Sequence, residues 1–137
     1  MAAMTAHEAL IHIMVIAASA DSKVSDRELE IISRLVNRSP VFEAFDHSDL
    51  GQVAAQAIDL IKDSSNLERA MEMILDSLPQ RLHDTAYALA VEVASVDLKL
   101  EQEELRYLEM IRDHLLLDGL VAAAIEASAK ARLRRAE

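Results

Sequence analysis

Cysteine and tryptophan are absent from this 137-residue chain, glycine and proline occur twice each, and aromatic residues make up 3%. Without a thiol there is no disulfide, no thiol nucleophile, no iron–sulfur cluster and no thiolate zinc site. Two glycines and two prolines are too few for the hairpins and bulges of an all-β protein, which lean on both. Positive charge is also scarce. Fourteen Lys and Arg face 24 Asp and Glu, a formal net charge of −10, which repels phosphate and disfavours nucleic acid as a partner. The longest apolar stretches, ALIHIMVIAASA and AYALAVEVASV, carry His12 and Glu92. Both are too short to span a bilayer, so no membrane segment is expected. MAAMTAHEAL has no basic segment ahead of an apolar one, so no secretory signal is expected and the cytoplasm is the expected address.

What the chain does have is helix-forming material. Hydrophobic residues reach 52%, mostly Ala, Leu, Ile, Val and Met, with apolar positions recurring at helical spacing in nearly every segment. This predicts an all-α protein: a single domain over residues 1–137, packed as a compact bundle of about seven helices. The first, roughly residues 5–20, is apolar around most of its circumference and suits a central position. Ser25 opens the second, where SDRE forms a capping box: the Ser25 hydroxyl accepts from the Glu28 amide and the Glu28 carboxylate reaches back to the Ser25 amide. Its buried stripe is Leu29, Ile32 and Leu35 or Val36. NRSPVFEAFDHSD is a connector with Phe42 and Phe45 as plugs, and Ser48 or Asp49 caps the third helix. SNLE makes a second capping box from Ser65 and Glu68. Further helices are expected over about 80–96 and 101–117. Asp118 caps the last, whose KARLRR end complements the helix dipole as a solvated tail.

One feature goes beyond composition. ASADSKVSDRELEII at 18–32 returns as ASVDLKLEQEELRYL at 94–108. An offset of 76 residues places Ala94 on Ala18, Ser95 on Ser19, Asp97 on Asp21, Lys99 on Lys23, Glu104 on Glu28 and Leu105 on Leu29. So many matches in one register predict two similar helical halves related by a pseudo-twofold axis. At each corner the aspartate can accept from the amides that follow it, and the glutamate seven places on can serve the next helix's first turn. Those roles need no ligand.

An apolar helix ending in Ala-x-x-Asp, followed by Lys-Val-Ser-x-x-Glu and then a second aspartate-led corner, resembles the tellurite-resistance protein TerB and its TerB-like relatives over about residues 7–125. The resemblance implies a bacterial, all-α, two-half, non-enzymatic module of stress response, with an acidic surface that binds divalent metal. Its corner positions are Asp21 and Glu28 in the first half and Asp97 and Glu104 in the second. Where the family has glycine after each aspartate, this chain has Ser22 and Leu98.

Other chemistries lack their residues. A calcium loop of EF-hand type starting at Asp21 would need oxygen ligands at Lys23 and Ile32, and one starting at Asp97 would need them at Lys99 and Leu108. There is no Glu-x-x-His pair, His-Glu-x-x-His motif, phosphate loop or nucleophile elbow. His12 is expected to be partly exposed, with a His12–Glu92 hydrogen bond across the axis as the alternative. Met14, Met71, Met73 and Met110 read as core packing. The carboxylates Asp21, Asp26, Glu28 and Glu30, with Asp97, Glu101, Glu103 and Glu104, would suit calcium, magnesium or manganese. The expected function is a non-catalytic binding module whose partner is another protein. The alternative is a metal-free interaction domain, with a homodimer as one form of it.

Overall fold

Residues 9–18 are all buried, on every face of α1 (Ala6–Ala18), because the helix carries no charge between Glu8 and its C-terminus. A helix that is apolar all round is stable only when neighbours surround it. The computed structural model describes residues 4–19, 24–62, 67–95, 102–134 and 136, and among these there is helix and turn but no strand. Around α1 stand α2 (Asp26–Arg38), α3 (Leu50–Lys62), α4 (Leu67–Asp76), α5 (His83–Ala94) and α6 (Gln102–Leu115), and α7 (Gly119–Arg132) packs on α5. Short 3-10 turns at Pro40–Phe42, His47–Asp49 and Gln80–Leu82 complete the course of the chain.

The helix boundaries follow the sequence repeat. Shifted by 76, α1 falls on α5 and α2 on α6 with ends agreeing to one residue. Packing repeats in the same sense. The two central helices α1 and α5 make the largest contact; α3 lies on α1 as α7 lies on α5, and α6 crosses to α1 as α2 crosses to α5. Alanines Ala9, Ala17, Ala86, Ala90 and Ala94, all at most 1% exposed, let the central pair approach closely. Leu10, Met14, Ile32, Val36, Met71, Ile74 and Ile111 join them in one continuous core.

The halves also differ. The first uses the connector at 39–49, where Phe42 is fully buried and Phe45 packs half-buried against it. The second passes from α6 to α7 through Leu116, Leu117 and Asp118. Leu116 there takes a left-handed backbone, φ 53°, a conformation that favours glycine at a helix C-terminus. The exits from the central helices differ as well. Ser19 is extended (φ −79°, ψ 127°) and fully buried, its hydroxyl donating to the Ile16 carbonyl. Ser95 stays near-helical (φ −88°, ψ 2°) and continues the ladder to Val91. The repeated serines therefore start their bends in unlike directions: Ser19 returns both its amide and its hydroxyl to the Ile16 carbonyl three places back, while the Ser95 amide reaches the Val91 carbonyl four places back.

Several local expectations need correction. Neither Ser48 nor Asp49 opens the connector's last turn: Asp46 does, its Oδ1 accepting from the Ser48 amide at 3.0 Å. α5 begins at His83 because the chain from Gln80 first makes a 3-10 turn. Met73 is 46% exposed, on the outer face of α4, while Met14 and Met71 are fully buried.

Candidate functional site

At the first acidic corner, Ser25 and Glu28 form a reciprocal cap. The Ser25 hydroxyl oxygen accepts from the Glu28 amide at 3.1 Å, and Glu28 Oε1 accepts from the Ser25 amide at 3.0 Å and from its hydroxyl at 2.8 Å. Glu28 is 8% exposed, which favours these bonds over water. Such a cap contributes about 1 kcal/mol, and it occupies one of the two carboxylate oxygens. Asp21, Asp97 and the Glu104 side chain lie outside the described residues, so the four proposed metal positions are represented by Glu28 alone. Ser65 lies outside them too, and its box partner Glu68 is exposed in the first turn of α4. Asp118 caps α7, its Oδ1 accepting from the Leu120 amide at 2.9 Å.

A further capping box opens α1. In TAHE, Thr5 accepts from the Glu8 amide at 3.1 Å and the Glu8 carboxylate accepts from the Thr5 amide at 2.9 Å. This cap stands at the rim of a polar groove of about 370 Å³ that includes His7, Phe45, Asp46, Asp49 and Gln52. His7 and Asp46, two of the groove's polar groups, are already engaged. His7 Nε2 donates to the Val41 carbonyl at 2.9 Å while its ring packs on Phe42 and Phe45. Asp46 accepts from the Ser48 hydroxyl and amide, which holds its carboxyl below the usual range. Among the described residues no three His, Asp or Glu side chains converge as metal ligands would. Two other clefts are largely apolar. One of about 460 Å³ between α2 and α3 is lined by Leu29, Ile32, Leu50, Ala54 and Ile58. The other, about 440 Å³, lies between the end of α2 and α5, with Leu35, Val41 and Leu89. These surfaces can hold an apolar side chain in place.

His12 is 3% exposed, not partly exposed, and its partner is not Glu92. Its Nδ1–H donates to the Glu8 carbonyl one turn back at 2.7 Å, which is how a helical histidine buries itself without a side-chain partner. Burial lowers its pKa from 6.5 despite that bond and the nearby Glu8 charge. The folded state therefore prefers neutral His12, and the unfolded chain binds the proton more tightly. Its contribution to stability is complete above pH 6.5 and is lost as pH falls below that value, with a slope of up to about 1.4 kcal/mol per pH unit. Urea midpoints measured down through this range should fall more steeply for the wild type than for His12→Leu.

Glu92 instead pairs with Arg132, Nη1 to Oε1 at 2.7 Å, so the basic end of α7 is partly a clamp onto α5 as well as a dipole complement. A second polar link joins the same helices. The buried Tyr87 hydroxyl donates to Glu126 Oε2 at 2.5 Å, and Arg112 Nη1 lies 3.5 Å from the same oxygen. Desolvation, then the Glu126 hydrogen bond and charge, push the Tyr87 hydroxyl far above its ordinary pKa. The signal was present in sequence: Glu126 is the one charged residue in GLVAAAIEASA.

No protein-family model matches the chain, and no curated protein or solved structure is significantly similar to it. No helix among the described residues is long and apolar enough to cross a membrane.

Proposed function

We propose that this chain is a non-enzymatic binding module of the TerB-like kind, which acts by contact with another protein and whose two acidic bends respond to a divalent cation. The repeat carries this reading: two helix–loop–helix corners with Asp21 and Glu28 in one, Asp97 and Glu104 in the other, set between helices whose bounds agree to one residue at the 76-residue offset. Oxygen ligands of this kind suit calcium, magnesium or manganese. Titrating each ion into the full-length chain, followed by calorimetry and amide NMR, should give a saturable response that Asp21→Asn with Asp97→Asn abolishes. No response in the wild type, or one that survives the double substitution, removes the cation from the proposal.

One observation favours a second reading, an interaction domain without metal. Glu28 spends its Oε1 on the Ser25 amide and hydroxyl, which is what a purely structural corner requires. On this reading the same double substitution lowers the melting temperature in chelator, because the bends lose their carboxylates, and added cation changes nothing. The two readings therefore part on a single pair of proteins.

A further inference from the structure

The last helix presents to solvent a surface of the kind other helices of the bundle bury. Only Ala122 and Ala129 of α7 are buried, with Ile125, Glu126 and Leu133 half-buried beside them. On the side turned away from α5 lie Leu120, Ala124, Ala127 and Ala131, all exposed and all uncharged. Their spacing, three and four residues in alternation, is the seam of a two-helix packing. Leu120 is 81% exposed and Leu116, just before the helix, 88%. Large apolar side chains left this exposed, in line with an uncharged stripe, mark a contact surface.

From this face we infer that the chain pairs with a second copy of itself, α7 against α7 in antiparallel orientation about a twofold axis between Ala124 and Ala127. Size and charge both select that occupant. The twofold places Leu120 of each copy opposite Ala131 of the other, a large side chain over a small one at both ends of the seam, with alanines at the centre that permit close approach. Charge follows the same symmetry. Asp118 caps the N-terminal end of α7, and Lys130 and Arg134 stand exposed at its C-terminal end, beside Arg132, which Glu92 holds. Antiparallel pairing sets each basic end beside the other copy's acidic one and opposes the helix dipoles. A parallel pairing would place basic end on basic end. For a chain of net charge −10, general repulsion between copies leaves only an arrangement with local complementarity. This inference is independent of the corner proposal: it uses none of the corner residues, and its failure would leave that proposal untouched.

Sedimentation equilibrium of the full chain should return about twice 15.1 kDa, and Ala124→Glu should weaken the dimer on the order of 30-fold or more. Ala124 is exposed, so the variant should keep the wild-type circular dichroism. Because the chain contains no cysteine, Leu120→Cys and Ala131→Cys provide a clean geometric test. Mixed under mild oxidant, the two single variants should form a heterodisulfide, while Leu120→Cys with Gln52→Cys, on α3, should not. A wild type that stays monomeric up to millimolar concentration overturns the inference. So does a dimer indifferent to Ala124→Glu, or one without the 120–131 crosslink.

Discussion

Phe42→Ala should lower the unfolding free energy by about 3–5 kcal/mol, the largest loss expected from any single truncation in this chain. Phe42 is fully buried and among the largest side chains in the core. It closes the core beneath the 3-10 connector. Its ring meets Phe45 edge-on with centroids 6.1 Å apart and tilts against His7 at 5.7 Å. His7 in turn bonds the Val41 carbonyl, so the connector is fastened to the start of α1 through this cluster. Chemical denaturation should show the loss with the denaturant slope unchanged. Phe42→Leu should recover more than half of it. A loss below about 1 kcal/mol would mean the connector can collapse onto α1 without the ring.

Tyr87→Phe should cost about 1.5–3 kcal/mol, the range for a hydrogen bond to a charged acceptor. The substitution removes one oxygen, yet that oxygen holds the buried end of a link across α5, α6 and α7. Arg112 adds little by itself, since both it and Glu126 are about 40% exposed and water screens the pair. Glu126→Leu alone should be comparably harmful, because it strands the Tyr87 hydroxyl in the interior. Combining it with Tyr87→Phe should restore part of the loss. A double-mutant cycle at one pH measures this directly. Simple additivity of the two substitutions would show that Tyr87 and Glu126 are neighbours without being coupled.

The extent to which the fold can be read from sequence varies from element to element. α1 is unmistakable because its apolar residues cover every face, and only a central position accommodates that. The Ser25–Glu28 and Asp118 caps are equally plain, since a capping residue acts on amides two or three places away and needs no distant partner. The connector was only half legible. Ser48 and Asp49 look like caps in isolation, but an intervening 3-10 turn hands the role to Asp46. His12 misleads for a different reason. Sequence suggests a partly exposed imidazole, or else one bonded to Glu92 across the axis, whereas the helix buries it and itself supplies an acceptor in the Glu8 carbonyl. Tyr87, Glu126 and the Arg132–Glu92 pair depend on how α7 lands on α5; the lone charge in GLVAAAIEASA marks Glu126, but no local pattern names its partner. At the corners, Ser19 and Ser95 show that equal sequence does not enforce equal geometry.

The burial of α1 has a cost during synthesis. The stretch from Leu10 to Ala18 leaves the ribosome long before α5, the helix that covers it most, has been made. Until then LIHIMVIAA, rich in β-branched residues, has only the partial cover of α2, α3 and α4 and no charged side chain to discourage self-association. For a helical protein the decisive docking event joins segments far apart in sequence, which slows folding relative to bundles assembled from adjacent hairpins. Truncation before residue 83 should therefore release not a smaller folded unit but a sticky chain, one that a holdase chaperone would recognise by its first helix.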